Sequence, residues 1–252
     1  MQNNMEIFMR IIYIIDFFLI YSFAGWVLES VYKTICTRKW VNSGFLYGTF
    51  CPIYGIGALI MYLFLSICNN PITVFLTGFV ILSIWEYLVS WGIEKIFHET
   101  YWDYSNYKFN INGRVCLLNS IFWGVLGVAF TYIVHPFIEA QIIKVDNILL
   151  IVITIVLVIG MLIDAIISII KLSSISKKLE AIKEIRKEIK LKLQELKSTK
   201  NTKESIQLMI NDLKEKEIKL KEKLVKQTER IRKAFPTMKS ETFKQISKYR
   251  RK

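Results

Sequence analysis

The chain has 252 residues, 53% of them hydrophobic, and carries 34 Lys and Arg against 21 Asp and Glu, a formal net charge of +13. So much apolar surface beside so much positive charge excludes a single soluble domain. The charge is also partitioned: residues 171–252 hold 26 Lys and Arg against 11 Asp and Glu, whereas residues 1–170 hold 8 against 10. Two regions follow, a membrane domain over 1–170 and a basic cytosolic coiled-coil hairpin and tail over 171–252. The expected fold class is all-α: a polytopic membrane bundle of about five transmembrane helices, then a C-terminal cytosolic antiparallel helical hairpin.

The N-terminal segment, MQNNMEIFMR, has one basic residue and no small-residue cleavage site after it, so the first apolar run, about Met9 to Leu28, reads as a retained span. A second run starts after Pro52 and ends near Cys68. The turn Asn69-Asn70-Pro71 leads to a third, about Ile72 to Trp91. The fourth, about Val115 to Val134, is expected to stop at His135-Pro136, because proline cannot continue the helical hydrogen-bond ladder. The fifth, Ile148 to Ile170, contains a single charge, Asp164, and exceeds the ~20 apolar residues that a helix needs to cross a bilayer. Cys36, Cys51, Cys68 and Cys116 form no CxxC and read as small buried hydrophobes.

Lys and Arg alternate between loops. The N-terminus has Arg10, loop one has Lys33, Arg38 and Lys39, and loop two has none. Loop three has Lys95, Lys108 and Arg114, and loop four has Lys144. The positive-inside rule then sets the N-terminus outside and loops one and three, with the tail, in the cytoplasm. In the tail, apolar residues recur every three or four positions from Leu172 to Leu196 and again from Ile206 to Ile231, with a polar break at Lys197–Thr202. Such narrow seams suit a coiled coil, and the short break suits an antiparallel turn. The hairpin reads either as a self-paired solvated element or as a docking arm drawn to anionic membrane lipids. Nucleic acid is not expected, since the tail has few aromatics and no reading module.

The polar residues of the membrane domain gather toward the inner leaflet: Glu29, Asn42, Glu86, Glu94, His98, Asp103, Asn110, Asn112, Arg114, Asn119 and Asp164. A charge inside a bilayer costs at least ~2.5–3.5 kcal/mol, so such groups face protein or water. Glu86, well inside the third run, must pair, protonate or face a cavity. One reading pairs it with Arg114; the other makes it a proton- or cation-handling carboxylate. Glu94 and His98 are four apart on one helix face, but two ligands do not make a metal site, and His135 is predicted on the opposite side. Loop three, from Tyr101 to Arg114, is rich in aromatics and amides. It reads as a headgroup-zone segment or as a folded cap, with a tight positive-φ turn at Asn112-Gly113. Loop one carries Gly44, Gly48, Gly55 and Gly57, which suit non-helical backbone lining a cavity or close helix packing. No GxxxxGK[ST] phosphate loop is present in these residues.

Several segments carry a resemblance in one order: Gly25-Trp-Val-Leu-Glu-Ser30, Asn42-Ser-Gly-Phe-Leu-Tyr-Gly48, Cys51-Pro-Ile-Tyr-Gly55, Trp85-Glu-Tyr87, Glu94-Lys-Ile-Phe-His98, Trp102-Asp-Tyr-Ser105 and Asn110-Ile-Asn-Gly-Arg-Val-Cys-Leu117. Over about residues 15–138 the chain resembles the CmpB-like ABC-transporter type IV membrane family of mainly Firmicute bacteria. The resemblance implies a bacterial plasma-membrane protein of transport function and brings no substrate and no catalytic residue with it. Members tend to have Arg where Ser43 stands and Pro where Thr49 stands, so a basic contact in loop one is missing here.

The leading expectation is therefore a permease-like component that works with a separate ATPase subunit, a homo-oligomer being compatible with its small size. A second is a membrane-embedded enzyme acting on a lipid or small molecule, with Glu86 or His98 in acid–base work, although no nucleophile–base pair or metal triad is visible. A third is a scaffold that recruits partners through the hairpin. No cofactor is implied.

Overall fold

The computed structural model describes residues 2–64, 68, 70–97, 100–198 and 203–236. Helices dominate: α1 (Gln2–Thr37), α2 (Pro52–Phe64), α3 (Pro71–Thr77), α4 (Ser83–Phe97), α5 (Leu117–Ala129), α6 (His135–Ile142), α7 (Asn147–Ser198) and α8 (Lys203–Ala234). Two π-helical turns, Gly78–Leu82 and Phe130–Val134, join α3 to α4 and α5 to α6 without a break. The only strands among the described residues are the two-residue pair β1 (Asn110–Ile111) and β2 (Val115–Cys116).

Among the described residues, four helices are long and apolar enough to cross a membrane: Asn3–Thr37, Pro71–Ile96, Leu117–Ile142 and Asn147–Leu196. The remaining expected span, α2, is described over 13 residues, about 20 Å at 1.5 Å per residue and short of the ~30 Å hydrocarbon core. It starts at Pro52, and the ten residues before it are not helical. They form a loop whose last amide, Cys51 N–H, bonds the Ser22 carbonyl at 2.9 Å, halfway along α1.

The fourth span is corrected. It runs through His135-Pro136 to Ile142 instead of stopping there. The π turn at Phe130–Val134 lies just before, and its wider i→i+5 winding lets the helix pass the proline without the i→i+4 bond that proline cannot donate.

The contacts divide the chain into two units. The first comprises the chain up to Ala165 and also the end of α8 from Lys233. Here α1 and α2 run antiparallel at close range. A Cβ on Gly25 would meet the Tyr54 side chain at 2.3 Å, and one on Gly55 would meet Ser22 Oγ at 2.1 Å. Gly78 crosses Gly124 and Gly127 similarly, with a Cβ on Gly78 coming within 3.0 Å of the Trp123 carbonyl. Small residues thus let backbones approach where lipid supplies no hydrophobic drive. Ile12, Phe17, Tyr21, Met61, Leu82 and Trp123 lie in the core cluster of this unit. Two polar contacts sit beside it: Tyr21 OH with His135 Nδ1 at 2.7 Å, and Thr154 Oγ1 donating to the buried Asp16 at 2.6 Å.

The second unit covers Ile166–Arg232 among the described residues. Lys178 donates to Gln227, Arg186 pairs with Glu217 at 2.6 Å, and Ile189 clusters with Ile206 and Ile210. Partners descend along α8 as they rise along α7, so the two stretches run antiparallel. Residues 199–202 of the expected turn lie outside the described residues.

Candidate functional site

Loop one is folded onto α1 and pinned by Asp164. The Ser43 amide donates to Ser30 Oγ at 3.1 Å, and Trp26 Nε1 donates to Asn42 Oδ1 at 2.7 Å. Asn42 returns a bond to the Tyr47 carbonyl at 2.8 Å. Gly44 takes φ +89°, with Cys51 Sγ 2.5 Å from where its Cβ would stand, so only glycine fits. The Tyr47 and Gly48 amides then donate to the two Asp164 oxygens at 3.1 and 2.7 Å. Asp164 thereby satisfies two backbone donors that have no helical partner.

Glu86 is 4% exposed and sits on α4 facing α5. Asn119 Nδ2 donates to both its oxygens at 2.7 Å, Trp123 Nε1 to one at 3.0 Å and Tyr104 OH to the other at 3.2 Å. Asn119 and Trp123 are four apart and share a face of α5, which is why both reach one carboxylate. The expected Glu86–Arg114 pair is therefore corrected: neutral donors surround Glu86, and no cation pairs with it among the described residues. Burial first, and then the Glu86 charge, hold the Tyr104 phenol well above its ordinary range, so it stays a donor.

Arg114 turns instead to Glu94 at 2.5 Å, with Tyr87 OH at 3.3 Å and its guanidinium over the Tyr87 ring. Partial desolvation disfavours its charge, but the hydrogen bond and charge of Glu94 outweigh that and raise its pKa. The reason lies in loop three. Asn112 (φ +53°) and Gly113 (φ +70°) make the expected tight turn between β1 and β2. That turn delivers Arg114 two helical turns below Glu86, and α5, starting at Leu117, lifts Asn119 to it.

Asp103 and Asn110 serve the loop itself. Asp103 accepts from Ser105 N at 3.0 Å, and Asn110 bonds the Tyr107 carbonyl at 2.8 Å and the Gly113 amide at 3.1 Å. Asn112 reaches Tyr87 OH at 3.0 Å. A polar cleft of 330 Å³ opens between Trp91, Glu94, Lys95, Thr100 and Arg114. His98 lies outside the described residues. No cluster of three or more His, Cys, Asp or Glu suited to a metal occurs among the described residues.

Glu29 joins the first unit's other polar centre, Lys33. Lys33 Nζ donates to Glu29 at 2.6 Å, to Ser43 Oγ at 2.9 Å and to the Ala234 carbonyl at the end of α8. Phe235 lies under the same ammonium at 4.8 Å and edge-on to the buried Tyr101, also at 4.8 Å. Cys51 Sγ approaches the second Glu29 oxygen at 3.6 Å. Sequence reasoning missed Lys33, Tyr104 and Trp123. The i,i+4 spacings Glu29/Lys33 and Asn119/Trp123 were the signals available for two of them.

Eight of the eleven polar positions thus fall into three neighbouring sets: Glu29, Asn42 and Asp164 around loop one, Glu86 and Asn119 between α4 and α5, and Glu94, Asn112 and Arg114 at loop three; Asp103 and Asn110 hold loop three itself, and His98 lies outside the described residues. A family model described as "Putative ABC-transporter type IV", that of the CmpB-like proteins, matches residues 16–169. The chain belongs to this family. The match covers all three sets and ends before the basic tail, so what is common to the ABC-transporter type IV family here is the membrane unit. Comparison with curated proteins found no match, and neither did comparison with solved structures. The apolar helices and the family together fit a membrane protein.

Proposed function

We propose that the chain is the membrane-embedded component of a transport system, working with a separate ATPase subunit and taking up a cationic species, a proton included, at Glu86. The observation that carries this reading is the Glu86 site: a buried carboxylate held by three neutral side chains. Such a carboxylate has donors to exchange and no fixed cation to displace, so it can accept a proton or a small cation at modest cost. In this reading α2 completes five crossings, the N-terminus lies outside, and the polar layer and the helical hairpin of α7 and α8 face the cytoplasm of a bacterial plasma membrane. A hairpin so placed gives the ATPase a surface to hold, and homo-oligomers of so small a membrane unit are expected.

Thermal unfolding of the full-length protein in detergent, across a panel of monovalent, divalent and organic ammonium cations, tests the proposal. At least one cation should raise the wild-type midpoint, and Glu86→Gln should abolish that shift while remaining folded. A wild-type protein indifferent to every cation and to pH, or an equal shift in the variant, would overturn it.

A further inference from the structure

We infer that the stem of the tail, where α7 leaves its apolar run, is a binding site for the headgroup of an anionic phospholipid. The second unit has a groove of 690 Å³ at this point, lined by Ile169, Ile170, Ser173, Ser174, Lys177 and Lys178 of α7, with Leu220 of α8 beside them. Its lining changes in register with a lipid. Ile169 and Ile170 are 48% and 62% exposed and continue the bilayer-facing surface. The two hydroxyls follow one turn later, and the two ammonium groups one turn beyond that.

At 1.5 Å per residue, Ser173 stands about 4.5 Å and Lys177 about 10.5 Å past Ile170 along the axis. The headgroup layer of one leaflet is about 5–7 Å thick. Helical side chains lean back toward the N-terminus, so both lysines reach down into that layer.

Lys178 is also held in place. It donates to Gln227 Oε1, and Gln227 Nε2 in turn donates to the Lys171 carbonyl at 3.1 Å. An ammonium has three donors, so Lys178 keeps two for a phosphate oxygen. No acidic residue lies between Asp164 and Glu180 along α7. Hydroxyls beside two cations above an apolar floor fit a phosphodiester with acyl chains attached, and a net negative headgroup is favoured over a zwitterionic one.

The test is lipid retention by the full-length protein, exchanged into micelles with equimolar phosphatidylglycerol and phosphatidylcholine and read by native mass spectrometry. The wild type should retain phosphatidylglycerol several-fold over phosphatidylcholine. The pair Lys177→Gln and Lys178→Gln should bring that preference close to one, and Lys→Arg at both positions should restore it. Lys216→Gln with Lys219→Gln, on an exposed stretch of α8, should leave it unchanged. Equal retention of the two lipids by the wild type overturns the site. So does an equal loss in the α8 pair, which would mark diffuse charge attraction. Circular dichroism of each variant separates lost binding from lost folding.

Discussion

Asp164 Oδ2 accepts the Gly48 amide at 2.7 Å, joining residues 116 positions apart, and its other oxygen takes the Tyr47 amide. One side chain of α7 thus completes the hydrogen bonding of loop one. Asp164→Leu removes the acceptor of two part-buried amides, at up to about 1–3 kcal/mol each. Asp164→Asn keeps one carbonyl oxygen and should lose less. Gly48→Ala places a Cβ 2.8 Å from Asp164 Oδ2 and should resemble the leucine variant. Unfolding midpoints in detergent should rank wild type, Asn, then Leu and Ala. An Asp164→Leu midpoint equal to wild type would deny the loop its anchor.

Around Glu86 the same logic separates stability from function. Trp123→Phe removes one of the donors and should cost about 1–2 kcal/mol, with the fold retained. Glu86→Leu strands the Asn119, Trp123 and Tyr104 donors together and should cost more than Glu86→Gln, whose amide oxygen still accepts. Chemical denaturation of the three variants gives the order directly.

Loop three depends on its turn. Gly113 takes φ +70°, and a Cβ there would stand 2.5 Å from Asp103 Oδ1 and 2.6 Å from Ser105 Oγ. Gly113→Ala should therefore strain the turn by about 1–3 kcal/mol and open the loop. Trp102, whose indole donates to the Arg114 carbonyl at 3.0 Å, is positioned to report this. Faster proteolysis between Tyr101 and Arg114 is the expected readout; unchanged cleavage would contradict it.

The second unit should soften in acid. Glu217 is partly buried, which alone raises a carboxyl pKa, but Lys221 and Arg186 outweigh burial and hold it below its ordinary 4.5. A carboxyl depressed on folding stabilises above its unfolded pKa and loses that contribution as pH falls through the folded value. Hydrogen exchange along α8 near Glu217 should therefore speed up below about pH 4.5 relative to a pH-corrected intrinsic rate, and Glu217→Gln should flatten that dependence.

What the sequence revealed follows from what is local. Apolar runs, the Asn112-Gly113 turn and the three-and-four spacing of the tail are periodicities of neighbouring residues, and the long helices and the tight turn appear accordingly. The partner of Glu86 was not legible, because the geometry of the β1–β2 turn decides whether Arg114 or Asn119 comes level with it, and Arg114 ends two helical turns away beside Glu94. The proline at 136 misled for the opposite reason: a π turn is a property of backbone winding with no composition of its own. Asp164 with loop one, and Lys33 with the end of α8, join distant parts of the chain and leave no mark in any window of sequence.

The last of these contacts bears on how the protein is made. Lys33 and Ala234 are 201 positions apart, yet both belong to the unit built from the membrane helices. Those helices emerge from the ribosome in order and can insert as they appear. The cation at Lys33 must then wait, with Glu29 and Ser43, until residue 235 has been synthesised and Phe235 arrives to cover it. The covering of Lys33 by Ala234 and Phe235 is a late event in biogenesis, and a chain stalled or cleaved before them would leave that ammonium uncovered.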